Sequence, residues 1–278
     1  MDRYPFGIGR LDDLIGGGAP TGSLVLLAGD PGAGAREFLH TAAIMNALAI
    51  RGSDRFELHY GDLHEAARLP ESVHYVSFTA GKAELESELR MAMDPTLVDG
   101  AISAIEFNDL SGAFFQRTPV PYEWYTGRVQ GITELGGDRR RSDVFESLGE
   151  VLTEHASGAL VCVDSITDLL GSREEDLAFH DVVTVLKGLQ RASTGWGGLI
   201  LLLLNRSAIS DTELGMVTDS VDGTFAFDWE RGGSKIARTM MVTQFRGVLS
   251  RLEEDDIVRF ETEITESGFD ISDVRKIR

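Results

Sequence analysis

Three stretches of the chain, residues 24–28, 159–163 and 199–204, are apolar without a break over the length of a strand. A run such as Leu199-Ile200-Leu201-Leu202-Leu203-Leu204 has no polar face to offer water. It predicts a central strand of a mostly parallel sheet with both faces covered. Residues 73–78 and 101–107 predict two further strands. Helical spacing falls between these runs, with Val144, Leu148, Val151 and Leu152 on one face, and residues 38–45, 166–170 and 177–190 read as helices too. Strands and helices in alternation over 278 residues predict one large α/β domain spanning 1–278. Two stretches depart from this pattern. Residues 46–72 finish a helix and turn polar, which predicts a surface insertion, and residues 108–141 break the regular pattern altogether.

The first apolar run ends in Gly29-Asp30-Pro31-Gly32-Ala33-Gly34-Ala35-Arg36-Glu37, and a helical segment follows. Strand, glycine-rich turn and helix are the setting of a phosphate-binding loop, G-x-x-x-x-G-K-[ST]. In that frame Gly29 and Gly34 are in place, but Ala35 stands for the Lys and Arg36 for the Ser or Thr. Glycines let successive backbone N–H groups face one concavity. With the positive end of the following helix, that concavity attracts anions whatever the side chains are. The Lys would place a charge on the β/γ-phosphates, and the hydroxyl would hold Mg²⁺. Arg36 comes one residue later, about 100° round a helix, so it does not replace the Lys. It stands where the metal-binding hydroxyl belongs. It has two courses open: to turn outward toward Glu37 or Asp30 or, in a fold that brings the end of the run 159–163 alongside, to pair with Asp164.

Composition narrows the setting. Net charge is −19 and only four of the 26 basic residues are lysines, a balance suited to a cytoplasmic protein in molar salt, where self-repulsion is screened to short range. The same charge disfavours nucleic acid as a partner. No apolar run is long enough to span a bilayer, and no amino-terminal signal pattern is present. The single cysteine, Cys162, lies inside an apolar run and predicts core packing rather than a disulfide. His59 and His64 lack a carboxylate or Cys at ligand spacing and read as loop histidines. Residues 108–141 gather Phe114, Phe115, Tyr122, Trp124, Tyr125 and the run Arg139-Arg140-Arg141. Such a segment either folds onto its own core, anchors a protein partner or stacks on bases.

Further motifs complete a pattern. Residues 6–23 contain Gly7-Ile8-Gly9-Arg10-Leu11-Asp12 followed by Gly16-Gly17-Gly18 and Pro20, leading into the glycine loop. The apolar run 159–163 ends in Asp164-Ser165, roughly 125 residues further on, and the run 199–204 ends in Asn205. Residues 237–247 hold Arg238, Gln244, Arg246 and Gly247, and the tail 248–278 carries Ile257-Val258-Arg259-Phe260-Glu261 and Ser267-Gly268-Phe269-Asp270-Ile271. Together these resemble the KaiC/RadA-like branch of the RecA superfamily of ATPases, over residues 6–272. The resemblance implies a RecA-like P-loop core, a mostly parallel sheet flanked by helices with a C-terminal β-hairpin. It implies ATP or ADP as ligand on residues 29–37, Asp164 and Ser165 as the Walker B pair with Asp164 facing Mg²⁺, and Asn205 as γ-phosphate sensor. It implies Arg246 as a contact to a neighbouring subunit's nucleotide, in a homo-oligomer or a hetero-oligomer of RecA-like chains.

At four places where that family carries chemistry this chain differs: Ala35, Arg36, Thr79-Ala80 in place of paired glutamates, and Gln244 in place of a trans Lys. Glu84, Glu86 and Glu88 follow nearby but read as a solvated helix face. Each lost cation removes on the order of 10²–10⁵ in rate. The expectation is a nucleotide-binding or regulatory protein with little or no hydrolysis and no firm hold on Mg²⁺. The alternatives are an active ATPase that uses Arg36 or Arg246, and an accessory protein on DNA.

Overall fold

The three uninterrupted apolar runs lie side by side in the middle of one sheet. The computed structural model describes residues 2–116, 118–126, 144–170, 179–231, 236–254 and 257–276. In chain order these form β1 (Arg3–Tyr4), α1 (Gly9–Ile15), β2 (Ala19–Pro20), β3 (Ser23–Gly29), α2 (Ala35–Ile50) and α3 (Asp54–Tyr60). Next come β4 (Val73–Ser77), α4 (Lys82–Ala92), α5 (Pro95–Ala101), β5 (Ile105–Asp109), α6 (Ser111–Phe115) and α7 (Tyr122–Thr126). Then follow α8 (Val144–His155), β6 (Leu160–Asp164), α9 (Ile166–Leu170), α10 (Phe179–Trp196), β7 (Leu199–Asn205) and α11 (Asp211–Thr218). The chain closes with β8 (Gly223–Arg231), β9 (Ile236–Phe245), α12 (Leu249–Glu254), β10 (Ile257–Thr265) and β11 (Gly268–Lys276).

Nine strands form the main sheet in the order β11-β10-β9-β8-β3-β7-β6-β4-β5. From β8 to β5 every pairing is parallel, while β9, β10 and β11 extend the sheet antiparallel, β10 and β11 as the closing hairpin. The register explains the apolar runs. Val25, Leu27, Cys162, Leu201 and Leu203 face the core under α2, whereas Leu24, Leu26, Val161, Val163, Ile200 and Leu202 face the core under α8 and α10. A strand covered on both sides has no position to spare for a polar side chain. Cys162 is buried there, as its surroundings in the sequence imply.

The stretch 46–72 differs from its reading as a polar surface insertion. It holds α3, which buries Phe56 and Tyr60. Tyr60 stacks on Phe56 and donates its hydroxyl to Asp12 at 3.1 Å. Asp12 is fully buried and also accepts the backbone N–H groups of Phe6 and Gly7 at 2.9 and 3.0 Å. Burial pushes its carboxyl up to about 7 against those three hydrogen bonds. In the stretch 108–141 the structure gives α6 and α7, and Phe115 packs on Tyr125. The run Arg139–Arg141 lies outside the described residues.

Candidate functional site

In a parallel sheet the loops at the carboxyl ends of the strands line the crevice where ligands bind. The loops after β3, β6 and β7 meet there around a cavity of about 270 Å³. Gly29, Asp30, Pro31, Gly32, Ala35, Arg36 and Glu37 line one side, with Ser165, Thr167 and Asn205 opposite. Ala33 is buried behind them.

The loop 29–34 depends on its glycines. Gly32 and Gly34 have φ of 75° and 114°, in the left-handed region that side chains avoid. A Cβ on Gly34 would meet the Phe269 ring at 3.0 Å, so the closing hairpin packs directly beneath the loop. The loop closes on itself through Ala33 N–H to Asp30 O at 3.0 Å. Its outward carbonyls are held by the neighbouring strands: Trp229 Nε1 donates to Pro31 O at 3.1 Å and Arg238 Nε to Gly32 O at 2.9 Å. The Arg238 guanidinium in turn lies 4.6 Å over the Trp229 ring. With those carbonyls engaged outside, α2 begins at Ala35 with its first-turn N–H groups lacking an i−4 partner, directed toward the cavity end of the helix.

Arg36 takes the inward of its two courses. Its Nη1 donates to Asp164 Oδ2 at 2.7 Å and lies 3.6 Å from Glu88. Glu88 is thus drawn to the site from the α4 face that reads as solvated, half-exposed as it is. Tyr75 Oη donates to the same Asp164 oxygen at 2.7 Å, and His40 Nε2 lies 3.2 Å from Tyr75 Oη. A phenol has one proton; with it given to Asp164, His40 is the donor to Tyr75 and its Nδ1 carries the lone pair. Arg36 and His40 are four apart on α2, so they project from one helix face onto Tyr75 and Asp164 of the adjacent strands β4 and β6. Burial raises Asp164 while Arg36 and Tyr75 lower it, the first of these prevailing. Burial opposes the charge of Arg36, but Asp164, Tyr75 and Glu88 outweigh it and hold the guanidinium above its ordinary value. Burial, with Arg36 adding to it, pushes His40 down to about 3.

A second ionic group closes the other side. Arg206 bonds both oxygens of Asp30, at 2.9 and 3.1 Å, and reaches Asp228 at 2.5 Å. Ser207 Oγ adds a bond to Asp30 at 3.0 Å. Asn205 lines the cavity, its side chain accepting from Ser207 N–H at 3.1 Å. Ser165 is buried beside Asp164, with Oγ 3.5 Å from Asp168. Arg246 lies elsewhere: it pairs with Asp222 at 3.5 Å, next to the start of β3, at the end of the sheet away from the loop. Its side chain is 72% exposed, so it does not touch its own chain's cleft. Sequence reading passed over Tyr75, His40, Arg206 and Trp229, and gave Arg238 no role at the loop. For His40 the signal was present as the i, i+4 partner of Arg36.

No protein-family model matches the chain, and no curated protein matches it. Solved structures do. A KaiC-like protein of Pyrococcus horikoshii OT3 superposes with a TM-score of 0.63 at 17% identity, over 98% of this chain and 99% of that one. The flagellar accessory protein FlaH of Methanocaldococcus jannaschii gives 0.59 at 14% identity, over 95% of each chain. The chain shares the fold of these two structures over nearly its whole length. No described helix is long and apolar enough to cross a membrane.

Proposed function

We propose that the protein is a KaiC-like nucleotide-binding protein that hydrolyses ATP little or not at all, with the Arg36 guanidinium standing where such sites hold Mg²⁺. The observation that carries this is the 2.7 Å bond from Arg36 to Asp164. A fixed cation on the Walker B carboxylate leaves no room for a hydrated metal that the same oxygen would orient. The residues present therefore fit the phosphates of a nucleotide and do not fit Mg²⁺. The glycine loop and the start of α2 offer backbone N–H groups, and Arg36 lines the cavity as a charge for the phosphates. Ala35 supplies no charge to the γ-phosphate, and Thr79-Ala80 supplies no carboxylate to polarise water. The exposure of Arg246 at the far end of the sheet supports a role toward a second subunit rather than its own cleft.

Phosphate release and nucleotide binding, both measured in molar KCl to suit the acidic surface, test the reading. The expected result is saturable binding of fluorescent ATP with phosphate release no faster than in buffer alone. Turnover in the ordinary enzyme range, about 1 s⁻¹ or faster, would overturn it, as would no binding at all. A gain of hydrolysis in the Ala35→Lys/Arg36→Thr double variant would add that the scaffold still supports the chemistry.

A further inference from the structure

At the opposite ends of β4 and β5 from the cleft, three metal-ligating side chains converge. His74 and Glu106 are paired residues of these adjacent parallel strands and point to the same face, and His155, the last residue of α8, closes over them. One ligand atom from each lies within 4.8 Å of the others. The His74 ring stacks on that of His155 at 4.7 Å between centroids.

His74 is 3% exposed, and its Nδ1 has no hydrogen-bond partner. Its Nε2 is 2.9 Å from Ser72 Oγ. Nδ1 faces Glu106 Oε2 at 3.6 Å, beyond hydrogen-bond length. In the tautomer that gives Nε2–H to Ser72, the Nδ1 lone pair and a carboxylate oxygen face each other under a second imidazole. A metal-bound imidazole commonly gives its other N–H to a nearby oxygen, which fixes its tautomer, and Ser72 is in that role.

We propose that His74, Glu106 and His155 form a site for one divalent transition-metal ion of the zinc class. Two imidazoles and a carboxylate suit such an ion, whereas Mg²⁺ and Ca²⁺ favour all-oxygen sets. Ligand atoms around one tetrahedral ion lie roughly 3.3 Å apart, so the three side chains must draw in by about 1 Å. Glu106, mostly exposed, and His155, partly so, have the freedom to do it. Glu154, whose carboxylate lies 3.8 Å from His155 Nε2, competes for that ring without metal. Three protein ligands leave a fourth position to water. The bound ion would pin edge strand β5 and its neighbour β4 to the end of α8, independently of any nucleotide.

The test is a Co²⁺ titration of the untagged, chelator-stripped full chain, followed by visible absorbance and then by competition with Zn²⁺. One equivalent of Co²⁺ is expected to give the intense d–d bands of a four- or five-coordinate site, removed by Zn²⁺. His155→Ala and Glu106→Gln, at partly exposed positions that spare the core, should each weaken binding tenfold or more. Ser72→Ala should weaken it about 10–100-fold. His59→Ala, at an exposed histidine outside the cluster, should leave it unchanged. No spectrum in the wild type would overturn the assignment. So would stoichiometric binding that survives both His155→Ala and Glu106→Gln.

Discussion

The glycine loop and the ionic cluster beneath the start of α2 share one cleft, yet they are built by different means. In the loop, position comes from the backbone: φ of 75° and 114° at Gly32 and Gly34, with outward carbonyls tied to Trp229 and Arg238. In the cluster, side chains have neutralised one another, Arg36 on Asp164, Tyr75 on the same oxygen and His40 behind it. The first arrangement keeps its capacity for an anion whatever residues flank it. In the second, Asp164 is engaged from within the chain by Arg36 and Tyr75. On the proposed function, a phosphate site outlasts the metal site with which it usually works.

The sharpest way to break this contrast is to disturb the backbone side. Gly34→Val places a branched side chain at φ 114° and against the Phe269 ring. The cost is about 2–5 kcal/mol from backbone strain and overpacking together. Chemical denaturation reads the loss, and nucleotide binding should vanish in the fraction that stays folded.

Acid titration probes the buried ionisable groups next. His40 is held down to about 3 from 6.5, so below pH 6.5 the unfolded chain takes up a proton that the folded one refuses. Stability then falls with falling pH by about 1.4 kcal/mol per unit down to the folded value. Asp12, raised from 3.8 to about 7, works the other way: the folded chain takes up its proton first, so stability rises as pH falls through that window. Between about pH 6.5 and 4 the two oppose each other. His40→Leu should make the protein gain stability on acidification, and Asp12→Asn should steepen its loss; denaturation midpoints across that range distinguish the two slopes.

A smaller effect is expected from Tyr75→Phe, which removes one hydrogen bond to Asp164 and orphans His40 Nε2–H. The loss should be about 1–3 kcal/mol, with the Arg36 pair retained.

The contrast also marks what the sequence could reveal. The apolar runs, the glycine spacing and the Asp164-Ser165 strand end are local signals, and each is where its residues imply. The partners of those residues are not local. Asp30 meets Arg206 from 176 positions away, and Tyr75 meets Asp164 from 89. Only the strand order, with β6 beside β4 and β7 beside β3, brings such groups together. The stretch 46–72 misled for the opposite reason. Its charged residues concealed two buried aromatics, Phe56 and Tyr60, on one face of a short helix, and composition alone does not show a face. His74, Glu106 and His155 were invisible for the same reason as Arg206, since sheet register and a helix end assemble them.

The claim that Arg36 stands in for the metal is tested most directly by the Mg²⁺ dependence of ATP affinity in the wild type and in Arg36→Thr. The expected result is equal wild-type affinity with and without Mg²⁺, and a variant that binds at least tenfold more tightly when Mg²⁺ is present, about 1.4 kcal/mol. A wild type that already gains tenfold with Mg²⁺, matched by the variant, would contradict it.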